Sequence, residues 1–158
     1  MQALILMLFT LSAFTEALPP LLPRQNCTAP TDFLITGFFS FYPSASNTQR
    51  QHYVNFKYED AASNGFVTCS SITANGTYLS GDKIPCGQIA VCFGWNGTEG
   101  SSRGYLTIYR EYCHGESALT GEVFLGTNCI PTEPPMPMGY GKECESPTVT
   151  ESGPFSST

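Results

Sequence analysis

Between residues 32 and 129, short runs of aromatic and β-branched residues are separated by clusters of Gly, Asn, Ser and Pro, the spacing of an all-β sandwich or barrel. Within residues 53–59, Val54, Phe56 and Tyr58 alternate with Asn55, Lys57 and Glu59. That two-residue period belongs to a strand with one buried face and predicts Val54, Phe56 and Tyr58 as core. Residues 32–42 read as a long first strand bent at Gly37, where the missing side chain permits a bulge, and broken by the Pro43-Ser44-Ala45-Ser46-Asn47 run. Further strands are expected at 66–69, 89–95, 104–109 and 122–127, with Leu106 and Ile108 sharing the core face. Asn-Gly pairs at Asn64-Gly65, Asn75-Gly76 and Asn96-Gly97 predict tight hairpin turns, because both residues tolerate positive φ. No helix of useful length is visible.

The two ends do not share this pattern. Residues 1–17 contain an apolar core and close on Thr15-Glu16-Ala17, small residues at the two specificity positions of a signal-peptidase site. The apolar stretch is nearer a dozen residues than the ~20 that cross a bilayer, so a signal peptide is expected and not a membrane anchor. Residues 18–24 end in Pro23-Arg24 and read as a short pro-segment, placing the mature start at Gln25. The β-domain is expected over 25–130. Residues 131–158 are rich in Pro, Ser, Thr and Glu, and a segment with so little to bury is expected to be a disordered tail. That tail lacks the hydrophobic stretch of a lipid-anchor signal, so a secreted, extracellular protein is expected, free of the membrane.

Composition sharpens the picture in two places. Acidic residues exceed basic ones by 13 to 7, and the basic ones are scattered. A nucleic-acid partner is therefore not expected, since backbone binding needs a basic stripe. Seven cysteines in a short chain routed to an oxidising compartment argue for disulfides. A zinc site is not supported, because there is no Cys-x-x-Cys pair and only two histidines. Cys69 with Cys86, and Cys113 with Cys129, would each close a hairpin-sized loop, a cross-link that stabilises by roughly 3 kcal/mol. Spacing alone leaves the connectivity open.

From Cys27 to Cys129 the chain resembles the secreted fungal proteins typified by the Alternaria major allergen and related elicitors of plant immunity. The resemblance rests on the lone early Cys27 before the first aromatic strand, the strand ending Phe66-Val67-Thr68-Cys69, and Cys86 followed by the alternating strand 89–95. It continues through the strand 105–109, the Tyr112-Cys113 pair, and Cys129 closing the last loop. It implies a small antiparallel β-barrel or sandwich with two intrachain disulfides, mapped to Cys69 with Cys86 and Cys113 with Cys129. It also implies a disulfide-linked homodimer through Cys27. Cys92 and Cys144 depart from the pattern: Cys144 is expected to capture Cys27 within the chain in place of that dimer, leaving Cys92 buried as a small apolar residue. Because seven is odd, at least one thiol is free or intermolecular. The partners that the resemblance implies are extracellular defence proteins of a plant host, with a small-molecule ligand as a further expectation.

Three N-glycosylation sequons begin at Asn26, Asn75 and Asn96, the last two at expected hairpin tips that would tolerate a sugar. No catalytic, cofactor or metal residue is assigned. The chain has no Gly-x-Ser-x-Gly elbow, no His-Glu-x-x-His and no histidine at the expected mature start. The strongest enzyme alternative is a secreted ribonuclease-type hydrolase using His52, Glu59, Arg103 and His114, two imidazoles as base and acid with an arginine on the phosphate. The small fungal ribonucleases with such a set also carry one substantial helix. A binding protein needs less, namely exposed aromatics on a rigid scaffold, and Tyr53, Trp95, Tyr105 and Tyr109 are its candidates. A cell-wall-associated structural protein is the remaining alternative.

Overall fold

The computed structural model describes residues 28–47, 51–63, 65–73, 83–87, 90–97, 103–113, 117–134 and 136–157. Their strands are β1 (Asp32–Pro43), β2 (His52–Asp60), β3 (Val67–Thr73), β4 (Ile84–Pro85), β5 (Val91–Gly97), β6 (Arg103–Tyr112), β7 (Ser117–Gly126), β8 (Asn128–Thr132), β9 (Gly141–Glu145) and β10 (Thr150–Ser157). All pairings are antiparallel, in the order β3-β2-β1-β10-β7-β6-β5-β4, with β9 paired to β1 and to β8. The two ends of this order meet. The Cys69–Cys86 disulfide joins β3 to the residue after β4 across a Cα–Cα distance of 4.4 Å, so a covalent bond closes the barrel where the ladder stops.

Period-two burial follows the sequence pattern. Val54, Phe56 and Tyr58 of β2 and Leu106 and Ile108 of β6 are fully buried, joined by Phe33, Ile35, Phe38, Phe93 and Trp95. The rings interlock: Phe38 lies 4.6 Å from Trp95 and Phe56 5.0 Å from Phe93, centroid to centroid, so aromatic side chains fill the barrel. Gly37 has φ 63°, and the register with β2 shifts between Thr36 and Phe39. A residue with a Cβ would be strained there. The bulge divides β1 into a lower half (32–36) laddered to β10 and an upper half (39–43) laddered to β9.

The C-terminal segment corrects the expected disordered tail. Its residues supply backbone more than side chains: β10 fills the gap between β1 and β7, and β9 extends the sheet beside β1. Of β10 only Gly153 is buried. A Cβ on Gly153 or on Gly121 of β7 would run into the Phe33 ring, which occupies that space. Phe155 packs on the same ring at 5.0 Å. A strand recruited to satisfy the N–H and C=O groups of its neighbours needs little apolar content, which is why a composition argument misses it. The connection from β8 to β9 is held by buried Asn47, whose Nδ2 donates to Met138 O at 2.8 Å and Tyr140 O at 2.9 Å, and by Thr132 Oγ1, which donates to Gly139 O at 2.7 Å. Strand β7 likewise starts five residues earlier than expected, because residues 117–121 pair with β6 and, from Leu119 on, with β10.

The second disulfide is Cys129–Cys144, not Cys113–Cys129, and Cys144 is therefore not the partner of Cys27. Cys113 follows the end of β6, and the ten residues of β7 return the chain to the other end of the barrel before Cys129, a separation of roughly 30 Å. Cys129 and Cys144 instead face each other in the β8–β9 ladder, 4.0 Å apart at Cα. Cys113 is itself disulfide-bonded. Cys92 is free and half-buried on the outward side of β5, in place of the buried position expected. Cys27 lies outside the described residues.

Candidate functional site

Each end of the barrel is closed by a buried tyrosine. At the lower end Tyr58 donates its hydroxyl proton to Asp60 Oδ2, which also accepts Arg110 Nε at 2.9 Å, while Asp60 Oδ1 accepts Ala62 N at 2.8 Å. The Asp60 side chain is wholly buried and that of Arg110 is 11% exposed, so this ion pair ties β2 to β6 across the barrel under little solvent screening. Burial, reinforced by the Asp60 carboxylate, pushes the Tyr58 hydroxyl far above its ordinary range. At the upper end Tyr42 accepts the Trp95 Nε1 proton at 2.8 Å and stacks on His52 at 4.5 Å. Burial raises the Tyr42 pKa, partly offset by the indole N–H, and lowers that of His52 to about 4.

This arrangement does not assemble the ribonuclease set. His52 points into the barrel at 1% exposure, whereas Glu59, seven residues along the same strand, points out. An odd separation on a strand places two side chains on opposite faces. Arg103 is exposed at the start of β6, and His114 lies outside the described residues. Among the described residues no cluster of three His, Cys, Asp or Glu could hold a metal ion.

Trp95 also leaves the list of surface candidates. It is buried, and its indole lies over Gly97 and its cross-strand partner Gly104, where any Cβ would collide with the ring. Asn96 and Gly97 are also not a turn. They are the last two residues of β5, paired with Tyr105 and Gly104, and the glycine is there to make room for the indole.

What remains outward falls on two faces. On β1–β2–β3, Leu34 is paired with Glu59, and Lys57 Nζ lies 4.4 Å from the centroid of the Phe66 ring. Phe66 is 60% exposed and Leu34 42%; Ile72 is 62% exposed and paired with Tyr53. On β5–β6–β7, Asn96, Tyr105 and Phe124 form one outward row, the two rings 5.1 Å apart and edge-to-face. Tyr109 lies further along that face, with Lys83 Nζ 4.5 Å from its ring centroid. Of these, the sequence reading identified Tyr53, Tyr105 and Tyr109. It missed Leu34 and Phe124, whose exposure follows from strand parity once the register is known, and Phe66, which immediately precedes β3. Asn26 and Asn75 lie outside the described residues.

No known family model matches the chain, and no curated protein is detectably similar to it in sequence. One solved structure is similar in fold: the crystal structure of the major allergen Alt a 1 of Alternaria alternata, with a TM-score of 0.58 over 82% of this chain and 96% of that one, at 14% identity. The chain has the allergen's fold. With so few identical residues, the likeness lies in the path of the backbone. The resemblance read from the cysteine and aromatic spacing therefore leads to the right barrel, although one of the two disulfides carried over with it was wrong.

Proposed function

We propose that this chain is a secreted protein that acts outside the cell as a binding scaffold, engaging extracellular defence proteins of a plant host through the outer face of β1–β2–β3. The observation that carries this reading is the patch formed by Leu34, Lys57, Glu59 and Phe66, where two large apolar side chains stand exposed beside a cation and an anion. Exposed apolar side chains rimmed by charge suit a protein partner, the apolar groups supplying area and the charges setting register. A small apolar ligand would compete for an interior already filled by Phe38, Phe56, Phe93 and Trp95. Disulfides in so short a chain, and the leader-like residues 1–17, fit an oxidising extracellular setting.

The test is retention of proteins from leaf extracellular fluid on the immobilised chain, compared with a Leu34→Ser, Phe66→Ser variant. Truncating two central anchors should weaken a specific partner at least ~10-fold. Equal retention by both forms would place recognition elsewhere. Binding to isolated cell walls, with nothing retained from the fluid, would favour the wall-associated alternative.

A further inference from the structure

The row Asn96–Tyr105–Phe124 joins a modification signal to an exposed aromatic surface. Asn96 opens the sequon Asn96-Gly97-Thr98, is itself exposed, and sits directly opposite Tyr105, which sits directly opposite Phe124. Directly opposed residues of an antiparallel pair share a face, with Cβ atoms about 5 Å apart. The two rings are 45% and 49% exposed. Their inward neighbours Trp95, Leu106 and Val123 are core, so the parity that buries those three fixes these three outward. A sugar on Asn96 Nδ2 would begin within reach of the Tyr105 ring, and the next strand carries the second ring along the same line.

We propose that Asn96 is N-glycosylated and that the first sugar of the glycan lies on the Tyr105–Phe124 pair, presenting its C–H face to the rings and covering them. The proposal rests on the secretory reading above, since the donor is a lipid pyrophosphate-linked oligosaccharide of the secretory lumen. In the transfer, the bond from the sugar C1 to the pyrophosphate oxygen breaks and a bond from C1 to Asn96 Nδ2 forms. The amide loses one proton and the lipid pyrophosphate departs. The occupant is the chain's own glycan because the attachment residue stands in the row itself. The apolar face of a pyranose matches an aromatic ring in the way two rings match each other, through C–H groups directed at the π-face. Leu34 and Phe66, on the other outer face, are not part of any sequon, are exposed, and remain open to a partner.

The experiment uses the full chain with its own N-terminal segment, expressed in a yeast that glycosylates, with peptide mass mapping of the protein recovered from medium and from cells. Released protein should carry hexosamine on the peptide containing Asn96, and Asn96→Gln should remove that modification alone. Asn96→Gln should also lower Tm by about 3 °C, and in a Tyr105→Ala, Phe124→Ala background it should lower Tm by less than about 1 °C. Released protein bare at Asn96 would overturn the proposal and leave the secretory reading intact. Protein retained in the cytosol and bare at every sequon would overturn both. Occupancy with equal Tm losses in the two backgrounds would overturn the stacking, leaving the rings for another occupant.

Discussion

The two ends of the barrel solve one problem with opposite chemistry. Below, Tyr58 is buried against a charged pair, Asp60 and Arg110. Above, Tyr42 is buried against neutral rings, Trp95 and His52. The strand β2 joins the two arrangements, running from His52 to Asp60 over roughly 26 Å. The charged end is held by partners that must all be present, because removing either charge leaves the other desolvated without its counter-ion. The neutral end has no buried charge to lose at neutral pH, but it acquires one when His52 is forced to protonate. One end should therefore be vulnerable to mutation and the other to acid.

Removing one charge should have the largest effect. Asp60→Ala leaves Arg110 without its carboxylate and Tyr58 without its acceptor, and should destabilise by about 3 to 5 kcal/mol in urea unfolding at pH 7. Replacing both charges with Asp60→Leu and Arg110→Met should recover much of that loss. If the double variant is as unstable as the single, the pair is not the reason for the effect.

Acid comes next. His52 takes up a proton near pH 6.5 in the unfolded chain but near 4 in the fold, so the unfolded state binds more protons between those values. Stability should be fully present above pH 6.5 and fall as pH drops toward 4, by about 2 to 3 kcal/mol at pH 4.5. His52→Phe should remove this component. Parallel pH profiles for the two proteins would show that the upper end is not the acid-sensitive one.

Smallest is Tyr42→Phe, which deletes the acceptor of the buried Trp95 N–H while keeping the ring on His52. A loss of about 1 to 3 kcal/mol is expected, without change in the pH profile. A profile that did change would mean that the tyrosine hydroxyl, and not burial, governs His52.

The strands and the core were readable because alternation is a local property. Val54, Phe56 and Tyr58 declare their face within seven residues, and Gly37 declares the bend by lacking a side chain. The spacing of cysteines and aromatic strands, through the resemblance it carries, narrowed the architecture to a barrel or sandwich. The outer faces were only half legible: Tyr105 could be assigned outward from Leu106 and Ile108, but its neighbours Asn96 and Phe124 lie on other strands.

Three features were decided only by the fold, and each depends on a register between segments distant in the chain. Cys129 meets Cys144 because β8 and β9 place them opposite each other, while β7 carries Cys129 away from Cys113. The residues after 131 become strands because β1 and β7 leave a gap whose backbone groups need partners, a demand that no composition records. Asn96-Gly97 is strand and not turn because the two residues pair with Tyr105 and Gly104 of β6, and the Trp95 indole takes the space that a Cβ on either glycine would fill. Local pattern determines which side of a strand is buried, since that depends only on parity. Which strands stand side by side is a global choice, made where backbone hydrogen bonds and ring volumes can all be satisfied together.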